Sequence, residues 1–350
     1  MAQTQQAPHL PQAWAYFGWW LPQSWRDAPL DRLDRLLFFE LKVNAAGVVA
    51  ERNGWPDDWV GLRAAVKKAG VPLDLTLTLF DARAFEALFS SADATARLLD
   101  EAAALASHDE VAGLQIDFEI YSHVRPATVV SYQRFVRALA SRLRAAAPAR
   151  KISVFFPMGG ETILYDRTTL AQVDHVVLQG YDAHWTGSKA AGPVAPLAGG
   201  DAVTWKKAVA QGVARGVPPD QLIIGFPLYG VEWPVATRKV RSATTGAGVH
   251  TSFAPIVAAA TTAPVIEVNV QEQVRQYGAV HDAASGSAYY QFKKPGGQFV
   301  EGWFEDWWTL DLKHDYLMQE RLGGIAFFVL GYDNGQLIEH FLQRRVAGFR

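Results

Sequence analysis

Two carboxylates, Asp117 and Glu119, stand two residues apart in an otherwise apolar stretch, 111–121, VAGLQIDFEIY. Side chains alternate across a strand, so Gln115, Asp117 and Glu119 share one face while Leu114, Ile116, Phe118 and Ile120 share the other. A half-buried antiparallel strand would put the polar face in water; the apolar residues could equally pack under a layer of helices, leaving the carboxylates facing the interior of a barrel. A close carboxylate pair in a poorly solvated place has its two pKa values driven apart, which is what a glycosidase needs to hold one group as acid and the other as anion. A structural ion-pair network built on Lys42 or an arginine is the competing reading of the same pair.

The elements that would carry these residues alternate along the chain. Apolar runs at 13–20 (AWAYFGWW), 36–43 (LLFFELKV), 71–80 (VPLDLTLTLF), 111–121, 151–157 (KISVFFP), 175–181 (HVVLQGY), 221–228 (QLIIGFPL) and 324–330 (GIAFFVL) read as eight strands. Between them, helical spacing predicts helices over 57–69 (stopped by Gly70), 82–105 (one or two), 128–146, a short one including 170–173, 204–215 (stopped by Gly216), 307–321 and 336–346. Eight short apolar strands alternating with helices predict an α/β fold, a (β/α)8 TIM barrel. The rhythm breaks at 231–302, where Ser/Thr/Gly/Ala-rich sequence alternates with short apolar runs such as 263–270 and 287–292. This segment is expected to form a small α+β insertion between strands seven and eight, and residues 1–350 one catalytic domain around it.

In such a barrel the active site lies at the C-terminal ends of the strands. Trp19 and Trp20 fall at the end of the first strand, Glu40 in the second and Asp81 after the third. Asp117, Glu119 and Tyr121 end the fourth, and Met158 follows the fifth. Gln179, Tyr181, Asp182 and Trp185 end the sixth, while Tyr229, Glu232 and Trp233 follow the seventh. Carboxylates, tyrosines and tryptophans at one rim suit a sugar cleft, where aromatic rings cover the apolar faces and carboxylates handle hydroxyls and protons. Most tryptophans of any chain are core residues, so only Trp185, Trp233 and Trp303 are expected to be sugar platforms. His184 reads as a loop residue, since the nine histidines show no metal-ligand spacing.

Composition narrows the function classes. Lys plus Arg number 33 against 35 Asp plus Glu, a formal net charge of -2 that offers no electrostatic footprint for nucleic acid or an anionic membrane. No cysteine is present, so disulfides, thiolate catalysis and cysteine metal sites are excluded, and both cytosolic and periplasmic compartments fit. No run approaches the roughly 20 apolar residues of a membrane span. The N-terminal MAQTQQAPHLPQ has neither a basic nor an apolar signal region. No motif implies a metal or an organic cofactor, and a monomer is expected.

In order and content, these motifs resemble glycoside hydrolase family 18, the chitinase and endo-β-N-acetylglucosaminidase family. Its strand-four motif D-x-x-D-x-D-x-E falls here on Ala112, Gln115, Asp117 and Glu119, of which the last two match. Its M-x-Y-D falls on Gln179, Gly180, Tyr181 and Asp182, keeping Tyr and Asp. The segments IIGFPLYG (223–230), WFED (303–306) and GGIAFFVLGYD (323–333) are also similar, the late portion most of all to the spore-cortex and peptidoglycan-type bacterial branch. The strand-eight Trp of the family corresponds to Phe328, and its strand-three S-x-G-G is absent.

The resemblance implies roles. Glu119 would be the general acid/base and Asp117 would orient a substrate acetamido group whose carbonyl is the nucleophile. Tyr181 would hydrogen-bond that carbonyl. Asp182, Gln115, Gln179, Trp185, Trp233, Trp303, Tyr229, Phe328 and Trp19 would bind substrate. The implied activity is retaining endo-hydrolysis beside an N-acetylated hexosamine in a polysaccharide or glycan, in a secreted or periplasmic setting. The alternative is a lectin of the same fold that binds such glycans without cutting them; an intact Glu119 favours the enzyme.

Overall fold

The computed structural model describes residues 10–257 and 266–347. Eight parallel strands close into a barrel: Gln12–Gly18, Arg35–Val43, Leu73–Leu79, Gly113–Phe118, Lys151–Phe156, His175–Leu178, Leu222–Pro227 and Gly324–Phe328. Neighbours in sequence are neighbours in space, and the first strand closes the ring by pairing with both the second and the eighth. A short strand not expected from sequence, Val49–Glu51, pairs antiparallel on the second.

Helices surround the barrel because each carries one apolar stripe and a stop or start signal at its ends. The 82–105 pattern resolves into two helices, Ala82–Ser90 and Ala92–Ala106, divided at Ser91, whose hydroxyl accepts the Ala94 N–H at 3.2 Å. The 57–69 pattern opens as a 3-10 turn, Asp57–Trp59, before the helix Val60–Ala69 that Gly70 ends in the left-handed conformation. Pro126–Ala146, Trp205–Ala214, Trp307–Glu320 and Gln336–Ala347 follow the predicted spans within a few residues, and the short helix is Arg167–Leu170. Against the outer face of the fourth strand, Phe118 stacks on Tyr132 and meets Phe85 and Phe89, which seals that face under helices.

Between the seventh and eighth strands a six-stranded sheet is ordered Val268–Asn269, Val249–Ser252, Tyr229–Val235, Phe299–Phe304, Ser287–Lys293, Val280–Asp282, with one helix, Val270–Tyr277. It is slightly wider than the 231–302 span expected from composition, because Tyr229 continues almost directly out of the seventh barrel strand. The 263–270 run begins outside the described residues, as do residues 1–9 of the N-terminal segment. Among the described residues no helix is long and apolar enough to cross a membrane.

Candidate active site

The inner face of the fourth strand carries Gln115 and Asp117, and Glu119 lies just beyond it, its N–H still donating to Leu79 O at 3.1 Å. Register sets Thr76 beside Gln115 and Thr78 beside Asp117. The Thr76 hydroxyl donates to Gln115 Oε1 at 3.3 Å, and the Thr78 hydroxyl donates to Glu40 Oε2 at 2.8 Å. Glu119 is half-buried and accepts a hydrogen bond from the Tyr121 phenol. The alternation read from sequence therefore holds, with the polar face turned into the barrel.

Electrostatics follow from burial. Desolvation raises the Asp117 carboxyl well above the usual carboxylate range, and the negative fields of Glu119 and Glu40 push the same way. Glu119 is pushed up to about 7, first by burial; the Tyr121 hydrogen bond pulls it back, while Asp182 and Glu40 push it up. Glu40 and Asp182 are also raised by burial. Among the described residues no ion pair reaches Asp117, Glu119 or Asp182. Lys42, the proposed structural counter-ion, lies instead 2.9 Å from Glu51 and 3.9 Å from Glu40. A carboxyl near 7 at a barrel mouth is suited to giving and taking a proton near neutral pH.

The end of the sixth strand brings Tyr181 and Asp182 to the same place. Tyr181 is buried among Phe155, Tyr229 and Phe328, and Tyr229 donates its phenolic hydrogen to Asp182 Oδ1 at 2.5 Å. Two glycines permit this packing: a Cβ on Gly225 would lie 2.6 Å from the Tyr181 ring, and one on Gly180 would lie 2.1 Å from Gly225 O. Phe328 forms the hub of the aromatic floor, with ring centroids 5.3 Å from Phe39, 5.4 Å from Tyr16 and 6.0 Å from Tyr181. Gln179 is buried, and its Oε1 accepts the Met158 N–H at 2.7 Å, tying the fifth strand's end to the sixth. The Phe39–Glu40 and Phe328–Val329 peptide bonds beside the floor are cis.

Not every expected residue joins this cluster. Trp233 and Trp303 are both 0% exposed. The Trp233 indole N–H donates to Trp185 O at 3.1 Å, and the Trp303 indole donates to Glu301 at 2.6 Å beneath the Arg241 guanidinium. Both rings lie on the face of the insertion sheet that the loop after the sixth strand covers, so neither is presented to a cleft. Trp185, by contrast, is 56% exposed. Trp19 is half-buried, edge-on to Trp20. Asp81 is spent capping the helix Ala82–Ser90, and Glu232 points to the opposite sheet face, where it accepts from Tyr290 at 2.9 Å. His184 bonds Asp201 and Ala190 O within its loop.

Three residues matter more than sequence reasoning allowed. Tyr121 touches Glu119, Glu40 belongs to the buried carboxylate group, and Tyr16 stands in the aromatic floor. The signal for the first was its i+2 spacing from Glu119; for the second, a lone acid inside the apolar run LLFFEL.

The profile of the glycosyl hydrolases family 18 matches residues 79–333. The sequence is similar to the putative sporulation-specific glycosylase YdhD of Bacillus subtilis, 26% identical over 85% of this chain and 66% of that protein. It is also similar to the cortical fragment-lytic enzyme of Bacillus anthracis, 24% identical over 65% of this chain and 49% of that one. The chain thus spans between about half and two thirds of the length of these relatives. The fold is shared with a GH18 chitinase from Cycas revoluta solved in complex with (GlcNAc)3, at a TM-score of 0.78, 18% identity and coverage of 96% of this chain and 99% of that one. It is shared too with the Bacillus cereus spore cortex-lytic enzyme SleL, at a TM-score of 0.72, 18% identity and coverage of 96% and 75%. That match runs from the end of the third barrel strand to just beyond the eighth, over well more than half of the sequence, and the chain belongs to glycosyl hydrolase family 18.

Proposed function

We propose that this protein is a retaining endo-glycosidase that hydrolyses β-glycosidic bonds beside an N-acetylated hexosamine, with Glu119 as general acid and then general base. The observation that carries the reading is Glu119 itself: a carboxyl pushed up to about 7 at the mouth of the barrel, next to Asp117, with no counter-ion in contact among the described residues. Glu119 gives its proton to the glycosidic oxygen as the bond to the anomeric carbon breaks. The substrate's acetamido carbonyl oxygen closes on that carbon, forming an oxazolinium. Water then opens the ring while Glu119 takes its proton, and two inversions leave the configuration retained. The Asp117 Oδ1, buried without a hydrogen-bond partner in the protein, is available to accept the acetamido N–H and to stabilise the positive ring. Tyr181 and the Tyr229–Asp182 pair hold the acetamido group in place.

Names of similar proteins point to chitin-type and spore-cortex glycans as substrates. A polymer of that kind implies a secreted or periplasmic site of action. The test is a panel of N-acetylhexosamine polymers assayed with wild type and Glu119→Gln. Turnover with retained configuration is expected, and Glu119→Gln is expected to lose at least about a thousandfold in kcat. Undiminished turnover in that variant refutes the assignment. Binding to the panel without turnover by wild type would identify a lectin instead.

A further inference from the structure

We propose that His250, on the insertion sheet, is a substrate-contacting residue that hydrogen-bonds a hydroxyl of the sugar unit next to the one carrying the reacting acetamido group. This rests on the reading of the barrel mouth as a glycosidase site and extends it to a residue that no motif marks. His250 lies in the strand Val249–Ser252, opposite Val231 in the antiparallel ladder with Tyr229–Val235. Directly opposed residues and alternate residues share a face, so His250, Tyr229, Val231 and Trp233 lie on one side of the sheet. The imidazole meets the Tyr229 ring edge-on at 5.4 Å, and the Tyr229 phenol donates to Asp182. One aromatic side chain therefore separates His250 from the Tyr181–Asp182 step, which places it one sugar unit further out along the insertion.

The backbone around His250 is fixed from two sides, while its ring is uncommitted. Gly248, two residues earlier, donates its N–H to Thr186 O at 2.7 Å, and Trp185 O accepts the Trp233 indole N–H, so the loop bearing the exposed Trp185 ring flanks the same face. Gly248 permits this approach: a Cβ there would lie 2.6 Å from the Trp233 ring. His250 itself is exposed, and among the described residues neither of its ring nitrogens has a hydrogen-bond or ion-pair partner. The acid nearest along the ladder, Glu232, is turned to the opposite face, where Tyr290 holds it. Burial lowers the imidazole pKa, so near neutral pH the ring is uncharged and offers one donor and one acceptor. A sugar hydroxyl offers the same pair, which lets one imidazole nitrogen give a hydrogen bond and the other receive one. The Tyr229 edge beside it keeps the ring's orientation without using either nitrogen.

The test uses the N-acetylglucosamine tetramer and the variants His250→Ala, His250→Phe and His250→Gln, each checked for folding by thermal unfolding. Steady-state kcat and KM are measured in the otherwise native chain. Binding is measured by titration calorimetry in a Glu119→Gln background, where the histidine ring-nitrogen NMR signals are also followed, that of His250 being the one lost in His250→Ala. His250→Ala is expected to raise KM and weaken binding about three- to tenfold, the effect of one neutral hydrogen bond, with kcat little changed. His250→Phe, which keeps a ring against Tyr229 but no hydrogen bond, loses as much, and His250→Gln, which keeps a donor and an acceptor, recovers part of the loss. The His250 ring signals shift on saturation with the tetramer. Full binding by His250→Phe overturns the proposal, since the ring then only packs. A fall in kcat at unchanged KM also overturns it, because His250 then acts through Tyr229 and Asp182. Ring signals unmoved at saturation, or a tetramer that does not bind at all, overturn it too. If wild type cleaves nothing while His250→Ala still weakens binding, the sugar contact stands and the assignment of Glu119 as acid is what fails.

Discussion

Replacing Tyr121 by Phe isolates the hydrogen bond that restrains the proposed acid. The phenol donates to Glu119 Oε2 and is the contact that lowers its pKa against burial and against Asp182 and Glu40. Burial pushes the phenol's own pKa far up, so it stays a neutral donor throughout any assay range. A hydrogen bond to a charged group contributes about 1.5–3 kcal/mol. Tyr121 is 42% exposed, however, and water takes over part of the phenol's role once the hydroxyl is gone. About 1 kcal/mol then remains, or about 0.7 pKa unit at about 1.4 kcal/mol per unit. The change favours the protonated form, so Glu119 rises from about 7 toward just under 8. Because the acid must carry its proton to cleave, the basic limb of the pH–kcat/KM profile moves up by the same amount. Thermal stability changes little, since the ring is partly in solvent and its stem stays. A steady-state profile on a soluble N-acetylglucosamine oligomer, measured beside Glu119→Gln as the baseline, reads the shift. A limb that stays in place or moves toward acid refutes the reasoning, for then the phenol does not govern the group that titrates.

Trp185 and Trp303 are expected to behave oppositely: Trp185→Ala leaves the melting temperature intact and raises KM for long oligomers, whereas Trp303→Ala costs about 3–5 kcal/mol of stability through lost packing under Arg241. Thermal unfolding and Michaelis kinetics on both variants check this, and equal effects on stability would contradict the burial difference. His175 is held down to about 4, chiefly by burial and then by Arg35, with its ring edge-on to Trp14 at 4.9 Å. A depressed folded pKa contributes stability above the ordinary value near 6.5, which is lost as pH falls through the folded one, a total of roughly 3 kcal/mol. His175→Phe, which keeps the ring, is therefore expected to flatten the fall of melting temperature between about pH 6.5 and 4; an unchanged slope would show that His175 is not the source.

Much of the barrel was legible because its signals are local. Alternation in VAGLQIDFEIY set which side chains share a face, Gly70 and Gly216 marked helix ends, and the composition of 231–302 departed from the barrel's rhythm. The Tyr181–Asp182 step was legible as a motif, and Gly180 and Gly225 prove to be its packing requirement. Two expectations failed for one reason. Trp233 and Trp303 sit on a strand face that alternation identifies, but whether a loop from elsewhere covers that face is not written in the strand. Asp81, whose role the strand-end position left open, caps the next helix.

By itself the sequence determined the number and type of barrel strands, the shared face of Asp117 and Glu119, and the family, since periodicity and motif spacing depend on residues close along the chain. Only the tertiary structure decided that the shared face turns inward, that Thr78 holds Glu40, that Tyr121 holds Glu119, and which tryptophans reach solvent. Those outcomes depend on lateral register around a closed sheet and on loops folding over distant strands. Contacts between residues some 40 to 80 positions apart, such as Glu40 with Thr78 or Trp233 with Glu301 across the insertion sheet, leave no trace in local pattern.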